Sequence, residues 1–381
     1  MTSLLPVDVV VPVLNEAHEI AGYLDSVGGQ LGGDGATLPS GVLRVIVVDS
    51  FSSDGTLAAI ESARERHPQL EIVVLQEPPG SHVDARRRGA EFALAPATSG
   101  AGAILASTDV DTRFHPGWIA DVGARFAAGT VDAVTYAGHY PATFWAQVPR
   151  LAARYFAEVG TVFFPPSTIA AYAFDADEAL FRDELFRAFT RVPSDCAWAY
   201  SKAAYAAAGG YLRERRADGS EVMFEGRNLR FRLDRNGARV AYVDTTPFET
   251  SPRRLLFEAE QFLAGTAYSA GLVAIRGQVT AAHIAALEEL ASSLDFAALR
   301  SYVVKHYVLL PAVSRPALLD GNERFLGEAF EPVRSAILEQ HAHLDGAAAV
   351  HALTDTLVER HGAAIVAAAE RLRALRLAAR G

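Results

Sequence analysis

Short apolar runs alternate with polar, helix-spaced segments along the first third of the chain. Val7 to Leu14 (VDVVVPVL), Val42 to Val48 (VLRVIVV), Glu71 to Gln76 and Ala101 to Thr108 are rich in branched residues, the pattern of buried strands. Between them, Ile20, Tyr23, Leu24 and Val27 repeat at helical spacing, Thr56 to His67 reads as a second helix, and Arg86-Arg87-Arg88-Gly89 opens a third that runs through Ala93. Strand and helix in turn, joined by short connections, predict a parallel sheet covered on both faces. Gly28 to Gly41 holds six glycines and reads as a loop. A further strand is predicted over Val131–Tyr136, helices over Phe144–Phe164 and Asp175–Phe189, and a last strand over Val240–Asp244. From Leu255 to Gly381 the pattern is helical, with breaks near Gly277, Ser314-Arg315-Pro316 and Asp345-Gly346.

Composition narrows the class. Forty-five acids against 35 bases give a net charge of −10, which argues against nucleic acid as a partner. One cysteine, Cys196, leaves no internal disulfide framework and fits a reducing cytoplasm. No base precedes Arg44, so the apolar start lacks a signal peptide's basic flank. No apolar run reaches the ~18 residues of a spanning helix. The expected location is cytoplasmic. The last helix carries Arg371, Arg373, Arg376 and Arg380 among Leu and Ala. A solvated basic face is its default reading, and a peripheral membrane contact the alternative.

The predicted strands end in chemistry. The fourth ends in Ser107-Thr108-Asp109-Val110-Asp111. If the strand conformation persists, Asp109 and Asp111 point to one side, and their mutual repulsion suits a hard divalent cation, Mg²⁺ or Mn²⁺, that takes its other ligands from phosphate and water. The first strand ends in Asn15-Glu16 and the second in Asp49-Ser50-Phe51-Ser52-Ser53-Asp54-Gly55-Thr56, with Ser53 or Asp54 placed to cap the following helix. In a parallel sheet these three ends converge on one edge. No G-x-G-x-x-G follows the first strand and no phosphate-loop motif occurs anywhere.

The stretches VVVPVLNEAHEI, VVDSFSSDGT, DARRRGAEFA, STDVDTRFHPGWI, YSKAAYAAAGGY and EGRNLRFRLDRNGARVAY, in that order over residues 7 to 254, resemble the family-2 glycosyltransferases with the GT-A nucleotide-sugar-binding fold. The resemblance implies a mainly parallel, Rossmann-like mixed sheet flanked by helices. It also implies transfer of a sugar from a UDP- or GDP-sugar to an acceptor hydroxyl, with Mg²⁺ or Mn²⁺ on the diphosphate. Carried over by position, Pro12, Asn15 and Glu16 line the nucleotide pocket and Asp49 bonds the base or ribose. Arg86 faces the diphosphate, Asp109 and Asp111 hold the metal, and Asp195 bonds the donor sugar. Arg253 and Arg254 are diphosphate contacts, with a helix-start surface pair as their alternative reading. Trp145, Tyr155 and Phe156 stand where an acceptor would stack, although aromatics at helical spacing more often pack a core. Cys196 reads as a small buried hydrophobe, and His115 as a helix-start residue.

The pattern departs from the family at the base. Leu229, Arg232, Leu233 and Gly237 keep the frame of inverting members, but the usual Glu-Asp pair reads Glu225-Gly226. Glu225 is the first candidate to take the acceptor's proton, then Glu221, then Asp218, since one carboxylate within reach of the hydroxyl suffices. A retaining enzyme needs no such base. The expected organisation is a catalytic domain over 1–254, with a nucleotide-binding half to 120 and an acceptor half after it, and a helical appendage over 255–381 that offers a homodimer surface. A nucleotidyltransferase and a degenerate sugar- or nucleotide-binding protein are the rival readings. Asn15-Glu16 in place of a basic Gly-rich loop opposes the first, and the intact Asp109/Asp111 pair opposes the second.

Overall fold

The computed structural model describes residues 5–78, 80–96, 103–136, 138, 140–155, 196–215, 225–243, 248–263, 279–319 and 327–378. Its centre is a seven-stranded sheet. Strands β1 (Val7–Val13), β2 (Leu43–Asp49), β3 (Glu71–Gln76) and β4 (Ile104–Thr108) fall close to the predicted runs. A ribbon strand β5 (Thr112–Phe114), then β6 (Ala133–Tyr136), β7 (Ala197–Ser201), β8 (Val240–Val243) and β9 (Phe248–Thr250) follow. The large sheet runs β3-β2-β1-β4-β7-β6-β8, and β5 pairs with β9 apart from it. Within the large sheet only β7 is antiparallel to its neighbours, β4 and β6.

Side chains alternate between the two covered faces. Val7, Val9, Val11 and Val13 pack with Ile20, Tyr23, Ile60 and Trp118 on one side. Val10, Ile46 and Val48 pack with Val83, Ala90, Tyr205 and Leu229 on the other. The helix His82–Leu94 lies close on β1, because a Cβ on Gly89 would stand 2.4 Å from Val10 Cγ1.

The order 3-2-1-4 reverses direction between β1 and β4, and open α/β sheets bind ligands in the crevice at such a point. Pairing of β1 with β4 stops at Val10–Ser107, while β1 stays on β2 as far as Val13–Asp49. The two strands therefore part at their carboxyl ends. Pro12 sits beyond the last β1–β4 pair, on a stretch with one open edge, where a residue without an N–H is tolerated.

The tail is helical, as expected, and ends in a long helix, Gly346–Ala378. Its core does not stop at residue 254. Phe144, Trp145, Leu151 and Tyr155 pack with Leu287, Leu309, Phe330 and Leu353 in one cluster. Trp145 and Tyr155 stack on each other there, ring centroids 5.3 Å apart, so they are core residues. Phe156 and the predicted helix Asp175–Phe189 lie outside the described residues. Among the described residues no helix is long and apolar enough to cross a membrane. Arg371 is exposed on the last helix.

Candidate active site

The loops after β1 and β2 are stitched together by three successive backbone donors. Asn15 N–H reaches Ser52 Oγ at 2.8 Å, Glu16 N–H reaches Thr56 Oγ1 at 2.8 Å, and Ala17 N–H reaches Asp54 Oδ2 at 3.1 Å. Asn15 answers through Oδ1, which accepts from Ser53 N–H at 2.8 Å. Asn15 has φ of 57°, a left-handed conformation that Asn tolerates because its short side chain bonds locally. Asp54 Oδ1 also takes Thr56 N–H at 3.0 Å at the start of the helix Thr56–Arg66. Asp49 is fully buried, both its oxygens take Ser52 N–H at 3.2 Å, and Gln76 Nε2 bonds Oδ2 at 3.0 Å. Asp49 thus holds the turn from within.

Across the crevice, Asp109 and Asp111 follow β4. Asp109 keeps 34% of its side chain exposed and is ion-paired to Arg86, which is buried. Asp111 keeps 21% exposed, and its Oδ2 lies 3.2 Å from Arg253 Nη2. Arg253 also grips Glu16, Nη1 to Oε2 at 2.8 Å. The small ribbon sets this up: β5 follows Asp111 directly, β9 pairs antiparallel with it, and Ser251 N–H then bonds Asp111 C=O at 3.0 Å. Arg253 is carried onto Asp111 from 142 residues away. Burial first, and the charge of Asp109 second, push the Asp111 carboxyl up to about 6, with Arg253 working the other way. Burial likewise raises Glu16.

Arg86 is the hinge of the third side. One guanidinium nitrogen holds Asp109; the other, Nη1, lies 2.7 Å from Glu225 Oε1. The same oxygen is 2.7 Å from His82 Nε2. His82 and Arg86 are one turn apart on the helix His82–Leu94, so they share a face. Glu225 opens the helix Glu225–Arg235 and is buried. Burial alone would raise its pKa; His82 first, then Arg86, reverse this and hold it at about 2.

Of the residues singled out from sequence, Asn15, Glu16, Asp49, Arg86, Asp109, Asp111, Glu225 and Arg253 gather at this edge, with Pro12 on β1 behind them. Arg254 instead pairs along its own helix with Glu258 at 3.1 Å. Arg87 and Arg88 are exposed, Arg87 flanked by Asp84 and Glu91. Asp195, Asp218 and Glu221 lie outside the described residues. Cys196 is half-buried, its Sγ 3.9 Å from Thr250 Oγ1. His82 was not expected. The helix carrying it begins a turn before Arg86 because Ser81 caps it, accepting from Val83 N–H and Asp84 N–H. Ser81-x-x-Asp84 was the signal for that start.

The residues present suit a divalent cation held mainly by its substrate. Asp109 and Asp111 stand partly exposed at the crevice, two carboxylate donors with room beside them. That is the donor set expected where phosphate oxygens and water complete the shell.

Comparison with known proteins gives three kinds of similarity. Residues 8–181 match glycosyl transferase family 2. Glycosyltransferase AglE of Haloferax volcanii is 38% identical over 136 residues, 35% of this chain and 40% of that protein, so the chain spans well under half of that relative's length in the match. Among solved structures, the mannosyltransferase PcManGT of Pyrobaculum calidifontis, in complex with GDP-Man and Mn²⁺, is 20% identical, with 97% of this chain and 88% of that one covered at a TM-score of 0.43. Residues 1–349 of S. aureus TarS with UDP-GlcNAc are 14% identical, with 94% and 93% covered at 0.45. Over residues 8–181, a little under half of its length, the chain is similar to glycosyl transferase family 2.

Proposed function

We propose that the chain transfers a sugar from a nucleotide-diphosphate donor to an acceptor hydroxyl, with Mg²⁺ or Mn²⁺ on the diphosphate. The observation that carries the reading is the pairing of Asp109 with Arg86 and Asp111 with Arg253 at the mouth of the β1–β4 crevice. Four charges are gathered where a diphosphate and its cation would lie, and each carboxylate is matched by a guanidinium. Asp109 and Asp111 would hold the cation, which would offset the charge of the leaving diphosphate. Arg86 and Arg253, beside Asp109 and Asp111, are placed to meet phosphate oxygens, for which a planar guanidinium is well shaped. GDP-mannose and UDP-N-acetylglucosamine, bound by the two structural relatives, are the first donors to try.

On the acceptor side the proton goes to the His82–Glu225 pair. A carboxylate held at about 2 by His82 and Arg86 is a weak base on its own. With Nε2 engaged by Glu225, His82 offers its other ring nitrogen to a hydroxyl, and a quarter of its side chain remains exposed. Glu225 orients the ring and keeps Arg86 in place. Glu221 is the alternative base, and a retaining reaction dispenses with either. The helical tail, which shares its core with helices of the acceptor half, shapes the acceptor pocket.

The test is release of nucleoside diphosphate from either donor in Mn²⁺. Wild type is expected to release it and Asp111→Ala to fail. Equal release by both contradicts the reading.

A further inference from the structure

Among the described residues two non-glycine residues have positive φ, Asn15 and Phe51, both at 57° and both in the stitched loops at the carboxyl edge. The conformation of Asn15 is accounted for by its bonds to Ser52 and Ser53. Nothing comparable explains Phe51. A bulky residue in the left-handed region is an outlier, and glycine would sit there without strain. Packing does not compensate, since Phe51 is 57% exposed, more than any other large hydrophobic among the described residues.

The turn that carries it is rigid. Asp49 takes Ser52 N–H with both oxygens, Gln76 fixes that carboxylate, Ser50 N–H bonds Val13 C=O at 2.9 Å, and Ser52 Oγ takes Asn15 N–H. A flat apolar ring is therefore displayed on a fixed support, two residues after β2 and beside the end of β1. Strain of this kind persists where it serves a site. Aromatic rings stack on nucleobases and do so with little regard to which base is offered.

We propose that Phe51 is the platform on which the donor's nucleobase stacks, and that its left-handed backbone is kept because it presents the ring to that base. The inference rests on the nucleotide-diphosphate reading above and names the residue that would hold the base.

The experiment compares wild type, Phe51→Gly and Phe51→Trp by calorimetry with UDP, GDP and inorganic pyrophosphate in Mn²⁺, together with the melting temperature of each free protein. Phe51→Gly is expected to melt no lower than wild type, because the backbone strain is relieved. It is expected to bind UDP and GDP roughly 5- to 100-fold more weakly, the range that one stacked base supplies. Pyrophosphate, which has no base, is expected to bind all three alike. Phe51→Trp is expected to keep the affinity and to lose tryptophan fluorescence on adding UDP. Unchanged UDP and GDP affinity in Phe51→Gly overturns the inference, as does an equal loss for pyrophosphate. A wild type that binds pyrophosphate but no better when a base is attached overturns it too. A wild type that binds none of the three overturns the donor reading along with it.

Discussion

His82 Nε2 lies 2.7 Å from Glu225 Oε1, across 143 residues of sequence, and Arg86 reaches the same oxygen at the same distance. Helix His82–Leu94 and helix Glu225–Arg235 are thereby joined at the mouth of the crevice. If this pair takes the acceptor's proton, His82→Asn is expected to leave UDP affinity unchanged and to lower turnover by roughly 10²–10⁴-fold. Steady-state rates with GDP-mannose or UDP-N-acetylglucosamine check it. Full activity in His82→Asn would move the role to Glu221.

The same pair gives a stability signature in acid. The folded-state pKa of Glu225 is held at about 2, below its ordinary 4.5. Its ionised form therefore stabilises the fold fully above the ordinary value, and the contribution drains away as pH falls toward 2. Glu225→Gln removes one carboxylate from Arg86 while Asp109 stays, so the loss is set at the low end for a broken buried pair, about 3 kcal/mol. In urea melts, the gap between wild type and Glu225→Gln is expected to be flat from about pH 7 to 5 and to shrink below about 4.5. A gap that widens in acid would contradict the ion pairing.

Asp49 is expected to act on the fold before it acts on a ligand. Asp49→Ala leaves Ser52 N–H and Gln76 Nε2 without their acceptor, a loss of about 1–3 kcal/mol, and loosens the turn that carries Phe51. Urea midpoints measure the first effect and calorimetry with UDP the second. Unchanged stability with abolished binding would instead make Asp49 a direct contact to base or ribose.

Arg253 and Arg254 are neighbours with different surroundings. Arg253 joins Glu16 and Asp111, whereas Arg254 pairs with Glu258. Arg253→Gln is expected to weaken UDP binding about tenfold or more, in keeping with a charge-assisted contact. Arg254→Gln is expected to change it little. Equal losses in calorimetry would place both arginines on the diphosphate.

The parts of the fold legible in the sequence are those whose signal is local. Val7–Val13, Leu43–Asp49 and Ile104–Thr108 are buried on both faces, so they read as unbroken apolar runs, and their polar ends marked the crevice directly. Strand β7, Ala197–Ser201, was missed because AWAYS holds no β-branched residue and its place between β4 and β6 is a long-range pairing. The ribbon of Thr112–Phe114 with Phe248–Thr250 is three residues deep, too short for any periodicity. His82 carries no motif of its own in the sequence. Its meaning comes from Glu225, and the reverse holds too: a lone glutamate reads as a free base until His82 and Arg86 are seen on its carboxylate. The Ser81 cap would have brought His82 and Arg86 onto one helical face, but not onto Glu225.

The central claim is that Asp109 and Asp111 bind the diphosphate through a divalent cation. Both carboxylates are partly exposed at a strand end, so removing either is expected to spare the fold. Calorimetry with UDP and GDP, with Mn²⁺ and with excess chelator, tests this most directly on wild type and Asp111→Ala. Wild type is expected to bind at least one of the two only with Mn²⁺, and Asp111→Ala to show an unchanged melting temperature and no metal-dependent binding. An Asp111→Ala protein that binds as tightly as wild type in Mn²⁺ would contradict the assignment.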